Sequence, residues 1–144
     1  MTTEEMREAI IAEARSWLKT PYHHCQRVKG VGVDCIQLLI ASYVAAGVVE
    51  GDIKTGYYPS DWHLHRNVER YLDGMRSKLH QTDTAKKGDI ALFRFGRTVS
   101  HGAIVLDASY VIHAYVHLGC VISALTDVEL AGRLHSYWTF EGAE

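Results

Sequence analysis

The chain has 144 residues, 47% hydrophobic and 22% charged, with 15 Lys and Arg against 17 Asp and Glu and a formal net charge of −2. Such a composition predicts one folded domain over 1–144 with enough apolar mass for a core, and excludes a disordered tail, a collagen-like repeat and a disulfide-dense miniprotein. It holds no basic excess to displace counterions, which argues against nucleic-acid binding by bulk charge. Nine His stand beside three Cys. Imidazole titrates near neutral pH and ligates metals, so the His content raises catalysis or metal binding. The odd Cys count argues against a complete disulfide framework.

At the start, Thr2 and Thr3 ahead of Glu4 and Glu5 predict an N-cap with acids in the first turn. Met6, Ile10, Ala14 and Trp17 then recur at helical spacing through Leu18, and Pro21 stops the helix. This opening has no basic segment leading into an apolar one, so no secretory signal is expected and synthesis is expected in the cytoplasm. From Pro21 to Val33 a loop carries Tyr22, His23, His24 and Cys25 with Gly30 and Gly32. Asp34 is placed to cap a second helix from Cys35 to about Ala46, ended by Gly47, and apolar almost all round. The longest apolar run, Cys35 to Val49, is too short to span a bilayer, and no membrane insertion is expected.

Gly51 to Asp61 reads as a connector, and Trp62 to Leu79 carries a looser helical pattern. Lys86-Lys87-Gly88-Asp89 is a turn. Strands are expected at Ile90–Phe95, Gly102–Asp107, Tyr110–Val116 and Val121–Ala124, with a last one at Tyr137–Phe140. Helices first and an antiparallel meander second is the segregated α+β pattern.

Cys35 opens a buried helix, where the helix terminus favours the thiolate and the unpaired first-turn amides can donate to an oxyanion. A buried small hydrophobe is the plain alternative. A nucleophilic thiol needs a base, and the base an orienting group. His101 and His113, 12 residues apart, fall on two strands joined by the turn at Asp107–Tyr110, which would set the imidazoles side by side as cross-strand partners, base and orienting residue. Each alone reads as a structural histidine; the ordered set of three favours catalysis. Metal readings are weaker. His113 and His117 are about 13 Å apart on a strand, and His23, His24, Cys25 and Cys35 contain no C-x-x-C pair. A serine triad on Ser100 lacks the G-x-S-x-G elbow.

Leu18-Lys19-Thr20-Pro21-Tyr22 and Gly32-Val33-Asp34-Cys35 at a helix start resemble the N-terminal signature of the NlpC family of papain-like bacterial cell-wall cysteine peptidases. Lys87-Gly88-Asp89-Ile90-Ala91-Leu92-Phe93 is similar to that family's P-G-D-L strand, Ser100-His101-Gly102-Ala103-Ile104 to its histidine motif and Val111-Ile112-His113-Ala114 to its third-residue motif. The motifs keep the family order from Trp17 to about Ala114. The loop from Tyr22 to Gly32 looks most like the phage-tail and gene-transfer-agent branch. The resemblance implies a papain-like α+β fold, a nucleophile helix packed on a small antiparallel sheet, with Cys35 as nucleophile, His101 as base and His113 orienting it. It places Tyr22, with Asp34, near oxyanion and substrate, and His23 and His24 are candidate cleft-lining residues.

The implied reaction is hydrolysis of the γ-D-glutamyl–diaminopimelate bond in peptidoglycan stem peptides through a Cys35 thioester, with no metal and no organic cofactor. The family's Asp-Cys-Ser-Gly is replaced by Asp34-Cys35-Ile36-Gln37, which removes a serine associated with stem-peptide binding. Segment 51–81 is longer than a minimal member needs and would wall the cleft. Trp62 and His63 are expected in packing and at the surface. The implied partners are stem peptides and, for a virion-borne enzyme acting at the cell wall, phage-tail proteins. An amidase or acyltransferase on the same fold, or a non-enzymatic phage structural module, are the other readings.

Overall fold

The computed structural model describes residues 2–49 and 78–141. Helix α1 (Thr3–Ser16) starts as the sequence predicts: Thr2 accepts from the Glu5 amide and Glu5 returns the bond to the Thr2 amide, a complete capping box. The following loop contains a short hairpin, β1 (Arg27–Val28) and β2 (Gly32–Val33). Helix α2 (Cys35–Ala45) follows, with Asp34 as N-cap. The second half is a six-stranded antiparallel sheet of β3 (His80–Thr82), β4 (Ile90–Phe95), β5 (Thr98–Val105), β6 (Tyr110–Tyr115), β7 (Gly119–Ala124) and β8 (Leu134–Thr139), in the order β3-β8-β4-β5-β6-β7.

The expected meander holds for β4 to β7 only, because β8 inserts between β3 and β4 and so turns the last strand back into the sheet. β5 starts at Thr98, four residues before the expected start, so His101 lies inside the strand. A register shift between Phe93 and Arg94 lets the hairpin absorb Ser100. The expected connector at 51–61, nearly all of the expected helix at 62–79, and Trp62 and His63 lie outside the described residues.

Both faces of the sheet are covered, which is why its strands read as apolar runs rather than clean alternation. On one face Ile90, Leu92, Ile104, Ile112 and Ala114 pack with Ile10 of α1 and Ile36, Leu39, Ile40 and Tyr43 of α2. On the other, Ala91, Phe93, Ala103, Val105 and Val111 are closed over by Leu130 from the segment before β8. Gly102 sets the depth of the first packing: a Cβ there would lie 2.8 Å from Leu39 Cδ1 and 3.3 Å from Leu92 Cδ2.

Helix α1 is tied down by a charge. Arg7, 3% exposed, donates from Nη1 to Asp89 Oδ1 at 2.8 Å and the Lys87 carbonyl at 2.7 Å, and from Nη2 to Glu141 Oε2 at 2.8 Å and Thr139 Oγ1 at 3.2 Å. Asp89 also accepts from the Lys86 amide at 2.8 Å. The turn motif at 86–89 thus acts as an anchor for the N-terminal helix. Replacing Arg7 with Ala leaves the buried Asp89 without its cation and should cost about 3–5 kcal/mol in urea unfolding. Lys86→Ala, which removes a well-exposed partner of Glu141, should leave the midpoint nearly unchanged.

Candidate active site

Asp34 organises the start of α2. Its Oδ1 accepts from the Gln37 amide at 2.9 Å, the helix cap, while Oδ2 accepts from the Cys25 amide at 2.7 Å. One buried carboxylate therefore fixes both the helix terminus and the loop over it. Cys35 follows at the first helical position and is 3% exposed. Burial pushes its thiol up to about 12, and the Asp34 charge adds to this. The amides of Gly102, Ile36 and Cys35 itself donate toward the sulfur and work in the opposite direction. The Gly102 amide is the peptide group following His101, so the sulfur sits one residue along β5 from that imidazole.

His101 and His113 meet as expected from their order, but not as directly opposed residues. β5 and β6 pair only at Ile104 with Ile112 and Val105 with Val111; carried further, that register would set Ala103 rather than His101 across from His113, so the two histidines are offset neighbours on one face. Their ring centroids are 5.0 Å apart, and His101 Nε2 lies 2.8 Å from His113 Nδ1. Phe93, Phe95 and Tyr115 enclose His101, with ring centroids 5.8, 5.8 and 5.5 Å away. Burial holds His101 well below the ordinary imidazole range, and His113 beside it adds to the effect. Burial likewise brings His113 down to about 4, against the pull of Glu129 and Asp127. At neutral pH the thiol and both imidazoles are thus uncharged, a set suited to moving a proton as a bond forms rather than to storing an ion pair.

Tyr22 is bridged to Val33, next to the cap of α2. Burial, then the neighbouring Cys35 and Asp34, raise its hydroxyl far above its ordinary range, so it stays protonated and available as a donor. The loop reaches this position because Cys120 on β7 donates to the Thr20 carbonyl and accepts from the Lys19 amide, both at 2.9 Å. Gly119 is required there, since a Cβ would lie 2.7 Å from the Thr20 carbonyl oxygen. His23 is exposed and donates its amide to the Val33 carbonyl; His24 is half-buried. Gly32 lets the hairpin close, because a Cβ would meet Gln26 Oε1 at 2.0 Å and His23 Cβ at 2.5 Å. Among the described residues no group of three or more His, Cys, Asp or Glu could hold a metal ion, and no helix is long and apolar enough to cross a membrane.

Sequence reasoning missed Ser123, Glu129 and the Gly102 amide. Ser123 on β7 has its Oγ 2.8 Å from His113 Nε2, and donates to Glu129 Oε1 at 2.8 Å. The available signal was parity: β7 pairs His113 with Val121, so Ser123 shares the His113 face. The Gly102 amide gave no side-chain signal at all.

A buried neutral His113 has a sign in acid. The unfolded chain takes up a proton on His113 near pH 6.5, while the folded chain resists until about 4. Stability from this group is complete above about 6.5 and is lost as pH falls toward 4, by about 3 kcal/mol at 1.36 kcal/mol per pH unit. His113→Asn should flatten the decline in unfolding free energy between those pH values, measured by urea titration.

No protein-family model matches the chain, and no curated protein matches it significantly. Solved structures do. A Staphylococcus aureus protein described as similar to lipoprotein, of the NLP/P60 family, matches with TM-score 0.68 and 20% identity over 97% of this chain and 42% of its own. The NlpC/p60 domain of the peptidoglycan hydrolase SagA matches with TM-score 0.61 and 20% identity over 92% of this chain and 97% of its own. RipD from Mycobacterium tuberculosis, a non-catalytic NlpC/p60 domain protein adapted to peptidoglycan binding, matches with TM-score 0.59 and 16% identity over 93% and 95%. The chain spans less than half of the first protein and nearly all of the other two structures. It has the α+β, papain-like fold of NlpC/P60 domains.

Proposed function

We propose that the chain is a cysteine peptidase of the NlpC/P60 type that hydrolyses amide bonds in peptidoglycan stem peptides, with Cys35 as nucleophile, His101 as base and His113 orienting His101. The observation that carries the reading is a thiol at a capped helix start that accepts from the amide next to His101, while His101 is hydrogen-bonded to a wholly buried His113.

In this reading the thiol proton passes to His101 as Sγ attacks the carbonyl carbon, and the developing oxyanion takes amide donors at the α2 terminus with Tyr22 as a further donor. His101 returns the proton to the departing amine, leaving a Cys35 thioester. Water, deprotonated by His101, then releases the acid and restores the thiol. All three groups begin and end neutral, so no metal or cofactor is needed for the balance. The finer assignment is the γ-D-glutamyl–diaminopimelate bond. For the site of action, a phage tail or phage-like particle assembled in the cytoplasm would carry the 1–144 domain to the wall, supported by the resemblance of the 22–32 loop. His23 and His24, beside Tyr22, would line the entrance.

A second reading, stem-peptide binding without hydrolysis, is favoured by one observation: the nearly complete burial of a thiol held at about 12. Mass spectrometry of peptidoglycan fragments incubated with the chain separates the two. A new amine and acid pair that disappears in Cys35→Ala is expected, with a loss of at least about a thousandfold in rate. Retention of fragments on the protein with no cleavage product would establish the binding reading instead.

A further inference from the structure

The polar chain does not end at His113. It crosses three strands, from His101 on β5 through His113 on β6 to Ser123 on β7, and leaves the sheet at Glu129. Each step is diagonal on the same face, and His113 and Ser123 are buried in a layer otherwise made of Ala91, Phe93, Ala103, Val105 and Val111. A buried polar side chain in such a layer is retained at a cost unless each of its groups is bonded.

Donor counting gives the chain a direction. A carboxylate only accepts, so the single Ser123 hydroxyl proton goes to Glu129 Oε1. Ser123 Oγ can then only accept from His113 Nε2, which must carry that ring's proton. His113 Nδ1 is left bare and accepts from His101 Nε2–H. His101 is left with its proton on Nε2 and a bare Nδ1.

From this we infer that Ser123 and Glu129 are positioning residues that lock both histidines into their Nε2–H tautomers and so leave His101 Nδ1 free to receive a proton. No bond is made or broken by the relay at rest. When His101 takes the thiol proton, the positive charge is shared along a line that ends on the Glu129 carboxylate, and it is lost when the leaving amine takes the proton away. Other titratable or charged groups around the pair are Cys35 from α2, Tyr115 from β6, Asp127 from the segment after β7, and Arg133, stacked over Phe95 at 4.4 Å. Asp127 is engaged by the Ala124 amide at 2.8 Å, whereas Glu129 bonds to the relay itself.

The catalytic consequence rests on the peptidase reading; the tautomers do not, so the decisive measurement is spectroscopic. Long-range 1H–15N correlation spectra of the whole chain with 15N-labelled histidine, assigned by the signals missing from His101→Asn and His113→Asn, should show both rings as Nε2–H at pH 7. Ser123→Ala should release His113 into a mixture of tautomers, and Ser123→Thr, which keeps the hydroxyl, should restore the single form. An Nδ1–H tautomer at His113 in the unaltered chain, or rings unchanged in Ser123→Ala, would overturn the inference.

If stem peptides are cleaved, Glu129→Gln should lower kcat roughly tenfold or more with KM little changed. It should also move the acidic limb of kcat/KM to lower pH, because removing the carboxylate destabilises the protonated pair. A loss of rate with an unmoved limb would reduce Glu129 to a structural role. Absence of cleavage in the unaltered chain would count against the peptidase reading alone.

Discussion

The arrangement at this site hangs on one buried carboxylate. Asp34 is a helix cap by its Oδ1 and a loop clasp by its Oδ2. The first bond allows α2 to start at Cys35 with its amides facing the sulfur; the second brings the Tyr22–Val33 loop back over the same terminus. The cost is electrostatic. An anion one residue from the thiol opposes ionisation of Cys35 and of Tyr22 alike. A helix N-terminus usually favours a thiolate, yet here burial and Asp34 outweigh three amide donors. The geometry that positions the Cys35 thiol therefore also keeps it protonated.

The sheet likewise keeps its imidazoles neutral. An imidazole in the cage of Phe93, Phe95 and Tyr115 is shielded from the solvent that would stabilise a charge, so His101 remains unprotonated well below its ordinary range. Its hydrogen-bond partner on the sheet, His113, is neutral for the same reason. Away from Asp34, the carboxylates that act on the histidine pair, Asp127 and Glu129, stand on the His113 side of it.

Much of this was legible in the sequence because it depends on local rules. The capping box at Thr2 and Glu5, Asp34 before an apolar helix, and Gly47 after it are all set by groups within a few residues. The pairing of His101 with His113 was legible as a spacing across a hairpin. What escaped has non-local causes. The early start of β5 depends on a register shift against β4, and the place of β8 depends on which partner edge it finds. Diagonal rather than opposed histidines follow from strand register, which a hairpin spacing leaves undetermined. Ser123 was silent because a lone serine in a strand carries no signal until the parity of three strands is known together. Arg7 was silent because an arginine in an amphipathic helix reads as solvent-facing until a buried acid is found for it.

Strand β7 serves both walls of the site. One side of its backbone, at Cys120, holds the Thr20 segment that delivers Tyr22, while three residues later Ser123 meets His113 on the sheet face. The two attachments are fixed to one another by a rigid run of chain. A single inserted or deleted residue between them would flip the serine to the α2 side and leave the tyrosine loop where it was, uncoupling the two halves. The turn at 116–118, by contrast, lies ahead of both attachments and carries exposed Val116 and Leu118. Length variation is accordingly far better tolerated in that turn than within the four residues 120–123, which act as a spacer of fixed gauge.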